Sequence, residues 1–229
     1  GRDIALNLPA TLGSAGQVLT VNSGGSAGEW STPAAAGASS MDGTNFIGGT
    51  DAGDSLNNQS NDNVFLGKDA GKATTSGTDS VAVGTGAGNF NTYGLYNVSM
   101  GQTAGTRFGD GGANNVAIGK EAMGSNSQAG NTSSFNVAIG SNVMRVANGA
   151  SRNTVVGYYA ANAITSGDYN TLVGSNAGQS LTSGSYNTGI GNSPLTYITT
   201  ATHNIAIGNL AANALTTGIN NIAIGEQAL

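Results

Sequence analysis

The fold of this chain is decided by one five-residue segment, Asn115-Val116-Ala117-Ile118-Gly119. The segment returns almost unchanged at Asn136, Asn204 and Asn221. Weaker copies begin at Asn45, Asn63, Ser80, Asn97, Asn153, Asn170 and Asn187. Eleven copies in one chain are the signature of a repeat architecture, in which each unit packs mainly on its neighbours.

The copies lie at a nearly constant spacing. Consecutive copies start 17 residues apart from Asn136 to Asn221, and 17 or 18 residues apart from Asn45 to Asn115. The step from Asn115 to Asn136 is longer, at 21, which predicts a small loop insertion at residues 125–133. Residues 45–229 are therefore predicted to form one shaft, with units beginning at residues 45, 63, 80, 97, 115, 136, 153, 170, 187, 204 and 221.

The first half of each unit alternates like a β-strand. Residues two apart share a face of a strand, so Val137 and Ile139 are predicted to face the core. The small Ala138 between them is then predicted to meet a close neighbour on the other face. The glycine that ends each copy, such as Gly140, indicates a positive φ or a close backbone approach.

The second half of each unit favours one or two helical turns. Ala160 and Ile164, for example, are four residues apart and would share a helix face. Gly167, Gly184 and Gly218 would then follow the helix ends, where a positive φ is wanted. A second short strand is the alternative, because the Thr and Ser residues in this segment favour an extended backbone.

Stacking explains how such short units can fold. A unit of this length with one strand cannot bury its apolar face alone, whereas stacked copies can. We therefore expect an all-β parallel β-solenoid or β-roll of about eleven coils, roughly 50 Å long at about 4.8 Å per strand. The thin core and the small strand residues favour a homotrimer over a monomeric solenoid.

The asparagine that begins most units is predicted to bond from coil to coil in a structural ladder. The alternative is that each asparagine only begins a turn. The predicted ladder consists of Asn115, Asn136, Asn153, Asn170, Asn187, Asn204 and Asn221.

Composition excludes several classes of function. The net charge is -5, and the 7 basic residues are scattered rather than clustered, which argues against nucleic-acid binding. No apolar run approaches the ~20 residues of a membrane span. The chain has no cysteine and one histidine. Thiolate metal sites and His-pair zinc sites are therefore not available, and there is no spare histidine for a Ser-His-Asp triad. No cofactor is predicted.

Two pairs of acidic residues lie one coil apart. Asp51 and Asp69 both stand two residues after the repeat glycine, and Asp62 and Asp79 both precede a repeat start. A separation of about 5 Å would suit a retaining glycosidase or oxygen ligands of calcium. The favoured interpretation is a solvated polar edge.

The position before the repeat start carries a further pattern. Successive coils place there Phe135, Arg152, Tyr169, Tyr186 and His203. Such a stripe could contact a receptor or a sugar. The favoured interpretation is structural, with the cationic and aromatic side chains stacked on one another.

The N-terminal residues do not repeat. Val18–Val21 and residues 29–32 read as a hairpin within a module of residues 1–32. Residues 33–44 read as a linker.

The Asn-Val-Ala-Ile-Gly unit resembles the head repeats of trimeric autotransporter adhesins, which fold as trimers of left-handed parallel β-rolls. The full unit, with (Leu/Ile)-Thr-(Ser/Thr)-Gly before the next Asn, is more similar to repeat regions of bacteriophage tail fibres. The segment Gly16-Gln17-Val18-Leu19 followed by Trp30 also looks like a module placed before phage-fibre shafts. The period is longer than that of the adhesin repeat.

The resemblance implies a non-catalytic shaft of a phage tail fibre that presents a receptor-binding tip. We expect a homotrimer on the virion or another extracellular surface, in contact with other fibre or tail proteins and with a host glycan or protein. Neither nucleic acid nor membrane insertion is expected. The alternatives are a bacterial trimeric adhesin head and, more remotely, a tailspike-like enzyme that cleaves glycans.

Overall fold

Short β-strands recur at every copy of the pentapeptide. A computed structural model describes the backbone of residues 18–21, 28–31 and 39–42 and, with side chains, residues 44–57, 62–106, 108, 111–124 and 132–229. These described residues contain fourteen strands and no helix.

Three strands precede the repeats. Strands β1 (Val18–Val21) and β2 (Gly28–Ser31) pair antiparallel with each other. Strand β3 (Ser39–Asp42) pairs antiparallel with β4 (Asn45–Gly48), so part of the predicted linker is a strand at the sheet edge. The rest of that linker, residues 33–38 and 43, lies outside the described residues.

The remaining strands each occupy the centre of one pentapeptide. They are β5 (Val64–Leu66), β6 (Val81–Val83), β7 (Val98–Met100), β8 (Val116–Ile118), β9 (Val137–Ile139), β10 (Thr154–Val156), β11 (Thr171–Val173), β12 (Thr188–Ile190), β13 (Ile205–Ile207) and β14 (Ile222–Ile224).

Strands β4 to β14 pair in parallel, each with the next, to form one sheet with β3 at its edge. Equivalent residues stand opposite each other, as Ala206 does to Ala223. The predicted parallel β-solenoid is confirmed, with a period of about 17 in sequence number. The longer step after Asn115 does not disturb the register, because Val116 still pairs with Val137. Most of the predicted insertion, residues 125–131, falls outside the described residues.

The strand faces are the reverse of those predicted. Ala138 is fully buried, whereas Ile139 is 36% exposed. The reason lies in Asn136, which is also fully buried and hydrogen-bonds inside its own coil. Residues two apart share a strand face, so the inward asparagine turns Ala138 inward and places Val137 and Ile139 outside. The small residue is thus part of its own coil's core and is not available to a partner chain.

The second half of each unit is neither helix nor strand but a series of β-turns. In one coil the amides of Ala177, Gln179 and Leu181 donate to the carbonyls three residues earlier, at 3.4, 3.2 and 3.0 Å. Asn176 and Gly178 adopt φ of 54° and 58° within these turns. An α-helix needs a negative φ at every residue, so the predicted helical turns are wrong.

The intervening amides bond between coils. Asn176 donates to the Tyr158 carbonyl of the preceding coil, and Gly178 donates to the Pro194 carbonyl of the following one. The backbone of this segment is therefore tied alternately within its turns and to its neighbours. This arrangement satisfies the polar backbone without a helix or a second sheet.

The glycine after each strand has two constraints at once. Gly67, for example, has φ +129°, and a Cβ added there would lie 2.8 Å from the Gly84 carbonyl carbon. Both predicted reasons for this glycine therefore apply.

The glycines at the end of the turn segment behave differently. The predicted positive φ at Gly167, Gly184 and Gly218 is wrong. These positions are instead crowded, and a Cβ on Gly218 would lie 2.5 Å from Leu215 Cδ1.

In several coils, the residue at the strand centre and the residue six positions later share the core volume reciprocally. Where the strand centre is large, as at Leu172, the residue six later is glycine, and a Cβ on Gly178 would lie 2.8 Å from Leu172 Cδ1. Where the strand centre is Gly189, the residue six later is the fully buried Leu195. The same reciprocity is seen in the pairs Phe65 with Gly71, Val155 with Ala161, Ala117 with Met123, and Ala138 with Met144.

This reciprocity explains why some non-glycine residues of the core adopt a left-handed backbone conformation. The second position of each pair has a positive φ, which reaches 52° even at Leu195. A left-handed backbone at a non-glycine residue costs roughly 1–2 kcal/mol. A glycine would avoid that cost but would leave a cavity beside Gly189, and filling the coil outweighs the strain.

Replacing a repeat glycine with alanine should distinguish the cost of a strained backbone from the cost of steric overlap with the next coil. We expect Gly174→Ala to cost roughly 3 kcal/mol or more, because φ is +132° and the Cβ would overlap the Gly191 carbonyl. Gly225→Ala is the control, since its φ is +121° but no atom lies within 4 Å of the added Cβ. Urea unfolding of both variants measures the difference, and equal losses would contradict the role of close approach.

Exchanging the small and the large residue of a reciprocal pair should restore the packing of the core. Gly189→Leu alone should cost about 1–3 kcal/mol by overpacking, and Leu195→Gly alone about 2–5 kcal/mol by leaving a cavity. The double variant should cost at least ~1 kcal/mol less than the sum. A double-mutant cycle by thermal unfolding tests this, with Gly189→Leu combined with the distant Met123→Gly as the additive control. Additive effects within the reciprocal pair would show that the two side chains do not share space.

Candidate functional site

The repeat asparagines from Asn97 to Asn221 form a continuous column that is buried except at Asn221. The Asn170 Nδ2 atom donates to Asn153 Oδ1 at 3.0 Å and to the Gly184 carbonyl at 3.0 Å. The backbone amide of Asn170 donates to the same Asn153 Oδ1 at 2.8 Å. Each side chain therefore joins its own coil to the preceding one, and its amide donors and acceptor are all used.

The same bonds recur along the whole predicted ladder. Each member donates from Nδ2 to the Oδ1 atom of the preceding asparagine at 2.9–3.1 Å. The members are Asn115, Asn136, Asn153, Asn170, Asn187, Asn204 and Asn221. Buried and saturated with hydrogen bonds, this column can hold coils together but cannot reach a ligand.

The predicted aromatic and cationic stripe forms a stack on the outside of the coils. The rings of Tyr169 and Tyr186 lie 4.9 Å apart with 5° between their planes. His203 stacks on Tyr186 at 4.9 Å and 12°. On the other side, the Arg152 guanidinium carbon lies 5.3 Å from the Tyr169 ring centre and 5.5 Å from that of Phe135.

Stacking limits what this stripe can bind. A sugar packs on the face of an aromatic ring, but in the interior of the stack both faces of Tyr169 and Tyr186 are occupied by neighbours. The side chains remain about half exposed, through their ring edges and hydroxyl groups. The geometry therefore favours the structural interpretation of the stripe.

The acidic pair at Asp51 and Asp69 is bridged by a lysine. The Lys72 Nζ atom lies 3.0 Å from Asp51 Oδ2 and 3.0 Å from Asp69 Oδ1. Hydrogen bonds to Asp51 and then to Asp69 raise the pKa of Lys72 above its ordinary value of 10.5. The ammonium group thus occupies the place between the carboxylates where a calcium ion or a glycosidic oxygen would have to sit.

The second acidic pair is a polar edge. Asp62 and Asp79 are exposed and have φ of 58° and 54°. The backbone amide of Asp62 donates to Thr44 Oγ1 at 2.9 Å. Among the described residues, no group of three or more His, Cys, Asp or Glu side chains could hold a metal ion.

One surface feature was not predicted from the sequence, and we call it the outer sheet face. It consists of the first and third residue of each three-residue strand from β5 to β14, together with Phe46 and Gly48 of β4. These residues are Val, Ile, Leu, Met, Phe, Thr or Gly, and none is charged. Met100, Ile139, Ile190, Ile205 and Ile207 are exposed on it. The Val and Ile pattern was visible in the sequence, but it was assigned to the core.

Comparison with known proteins adds no relative. No protein-family model matches the chain, and no match was found among curated proteins or solved structures. Within the described residues, no helix has the length and apolar character needed to cross a membrane.

Replacing a ladder amide with a carboxylate should destabilise the shaft. In Asn170→Asp, a carboxylate oxygen would face Asn153 Oδ1 and the Gly184 carbonyl, so two donated hydrogen bonds would become oxygen–oxygen repulsions around a buried charge. We expect a loss of at least ~3 kcal/mol in the free energy of unfolding. The control is Asn192→Asp, because Asn192 is exposed and its Oδ1 atom only accepts a bond from Ser193. Circular dichroism during urea unfolding measures both, and similar stability of the two variants would contradict a structural role for the ladder.

Proposed function

We propose that this chain is the shaft of a bacteriophage tail fibre, assembled as a parallel homotrimer, which holds a receptor-binding tip away from the virion. The observation that carries the proposal is the outer sheet face, an uncharged strip that runs along all eleven parallel strands. A shaft needs length and a lateral surface for self-association, and the stacked coils and this strip are suited to supply them.

The size of the outer sheet face supports association. Eleven strands at about 4.8 Å give a strip roughly 50 Å long, and two side-chain columns make it roughly 10 Å wide, on the order of 500 Å². This area lies within the range of the largest apolar patch on a soluble monomer, about 300–600 Å², and such a patch often has a function. Ile222 and Ile224, at 70% and 67% exposure, are the most exposed isoleucines of the strip.

The two columns of the strip suggest how three chains would meet. The column containing Ile205 in one chain can face the column containing Ile207 in the next. Each chain then uses one column toward each neighbour, and three such contacts close a ring around the fibre axis. All chains keep the same polarity, as a shaft that presents a tip at one end requires.

The polar features also support a structural rather than catalytic role. Lys72 neutralises the acidic pair at Asp51 and Asp69, which is therefore unsuited to general acid and base catalysis. The stacked stripe uses its ring faces internally. Contact with a host glycan or protein is assigned to the tip, and the shaft positions that tip.

Charges on the outer sheet face should prevent assembly without unfolding the coil. We expect the double variant Ile139→Lys and Ile190→Lys to lower the sedimenting mass from three chains to one, because both side chains point outward. The control is Ser166→Lys, since Ser166 is exposed in the turn segment on another side of the coil. Circular dichroism should show strand content like that of the parent protein. A one-chain or two-chain mass for the unmodified chain, or a three-chain mass for the double variant, would contradict the proposal.

Location tests the functional part of the proposal. Antibodies against the purified chain, labelled with gold, should decorate the tail fibres of virions in electron micrographs. Labelling confined to the surface of bacterial cells that carry no phage would instead establish the adhesin alternative. Release of reducing ends from host polysaccharide, abolished by Asp51→Asn or Asp69→Asn, would overturn the non-catalytic role.

A further inference from the structure

The core of the solenoid changes character in the coils that begin at Asn63, Ser80 and Asn97. Eleven residues after the repeat start, other coils place Leu56, Phe108, Ala147, Ile164, Leu181, Ile198 or Leu215. The coils that begin at Asn63 and Ser80 instead place Thr74 and Asn91 there, only 2% and 6% exposed. The next coil has Ser99 at its strand centre, 1% exposed. Polar side chains thus replace apolar ones in three neighbouring coils.

Several of these buried polar groups lack a partner. The hydroxyl oxygens of Thr74, Ser99 and Thr106 make no hydrogen bond, and the described residues contain one other such buried side-chain atom, Asn213 Oδ1. Buried, unpaired hydroxyls destabilise the coils that contain them. The apolar core divides at the same place, into one cluster from Phe65 to Ala87 and another from Phe108 to Ala223.

The asparagine ladder is interrupted in the same coils. Ser80 occupies a ladder position, where its hydroxyl donates to the Thr78 carbonyl and accepts a 3.3 Å bond from the Asn97 amide. Asn97 Nδ2 donates to the Gly112 carbonyl at 2.8 Å, but a serine at position 80 offers it no amide oxygen. The amide-to-amide bonds that join other neighbouring coils are therefore missing on both sides of Ser80.

We propose that Thr74, Ser80, Asn91, Ser99 and Thr106 form a polar joint at which the shaft opens and bends. In a solenoid each coil is stabilised only by its neighbours, so local defects weaken the chain locally. Polar core side chains, a gap in the asparagine ladder and three unpaired hydroxyls all fall within the same three neighbouring coils. The joint separates a short N-terminal unit from a stiff C-terminal unit that begins at Asn115. This property belongs to the coil itself and does not depend on the proposed function.

Amide hydrogen exchange on the intact chain tests the joint, and the symmetry of the stack controls for fraying at its ends. Val81 and Thr188 both lie in the third parallel strand from an end, and Val98 and Thr171 both lie in the fourth. All four amides donate to a carbonyl of the following coil at 2.8 Å. We expect Val81 and Val98 to exchange at least about tenfold faster than Thr188 and Thr171. Equal rates within each pair would overturn the proposal.

Repair and transplantation of the joint provide the second test. The double variant Ser80→Asn and Ser99→Ala restores a ladder amide, with the Gly94 carbonyl at the equivalent acceptor position, and removes an unpaired hydroxyl. Exchange at Val81 and Val98 should slow at least about fivefold, without change at Thr171.

The matched variant Asn187→Ser and Ala206→Ser copies the joint into the stiff unit. It should accelerate exchange at Thr188 and Ile205 by a similar factor. Unchanged rates in the repaired protein, or in the protein with the copied joint, would also overturn the proposal. The comparison within the unmodified chain stands if either variant fails to fold.

Discussion

The structure depends above all on a buried amide. Most repeat asparagines point into their coil, where the side chain bonds to a carbonyl of the same coil and to the asparagine of the preceding coil, as Asn170 does. A buried amide without these bonds would be costly, so the inward orientation and the coil-to-coil register are fixed together. Strand alternation then decides every neighbouring side chain, which places Leu172 inside and Val173 outside.

Close stacking imposes the second constraint. The glycine after each strand lets successive backbones approach to a distance that no Cβ permits, as between Gly67 and Gly84. The close stacking fixes the outline of the coil and so limits the space for core side chains. In several coils the core therefore varies reciprocally, and the large Leu172 is matched by the small Gly178.

Much of the fold could be predicted from the sequence, because periodicity reports directly on stacking. The strands, their parallel order and the asparagine column all follow from the regular repetition of the pentapeptide. The strand faces did not follow, because alternation alone does not say which face is inside. Val137 and Ile139 are more apolar than Ala138, and the deciding fact was the hydrogen-bonding need of Asn136. Likewise, Ala160 and Ile164 fit a helical spacing, whereas the left-handed backbone of Tyr159 and Ala161 gives turns.

The candidate site was less predictable, because its contacts join residues that the repeat does not mark. The register of the coils places Asp51 beside Asp69, as the spacing predicts. The ammonium group between them belongs to Lys72, three residues after Asp69, and most coils have no basic residue at that position. Stacking of Tyr169 on Tyr186 was foreseeable from register. Whether the ring faces are free could not be foreseen, since that depends on side-chain rotation about a left-handed backbone.

The left-handed backbone before each repeat start shows that the fold of the shaft does not depend on which side chain this position presents at the surface. The residue before the repeat start has φ of 54–61° in coil after coil, whether it is Asp79, Phe135 or His203. Asp tolerates this conformation, but an aromatic residue does not favour it. What holds it is the backbone, because the amides of Phe135 and His203 donate to carbonyls of the preceding coil at 3.0 and 3.1 Å. The scaffold therefore fixes the conformation without specifying the side chain. Acidic residues can follow one part of the shaft and stacked aromatic residues another, while the backbone conformation beneath them stays the same.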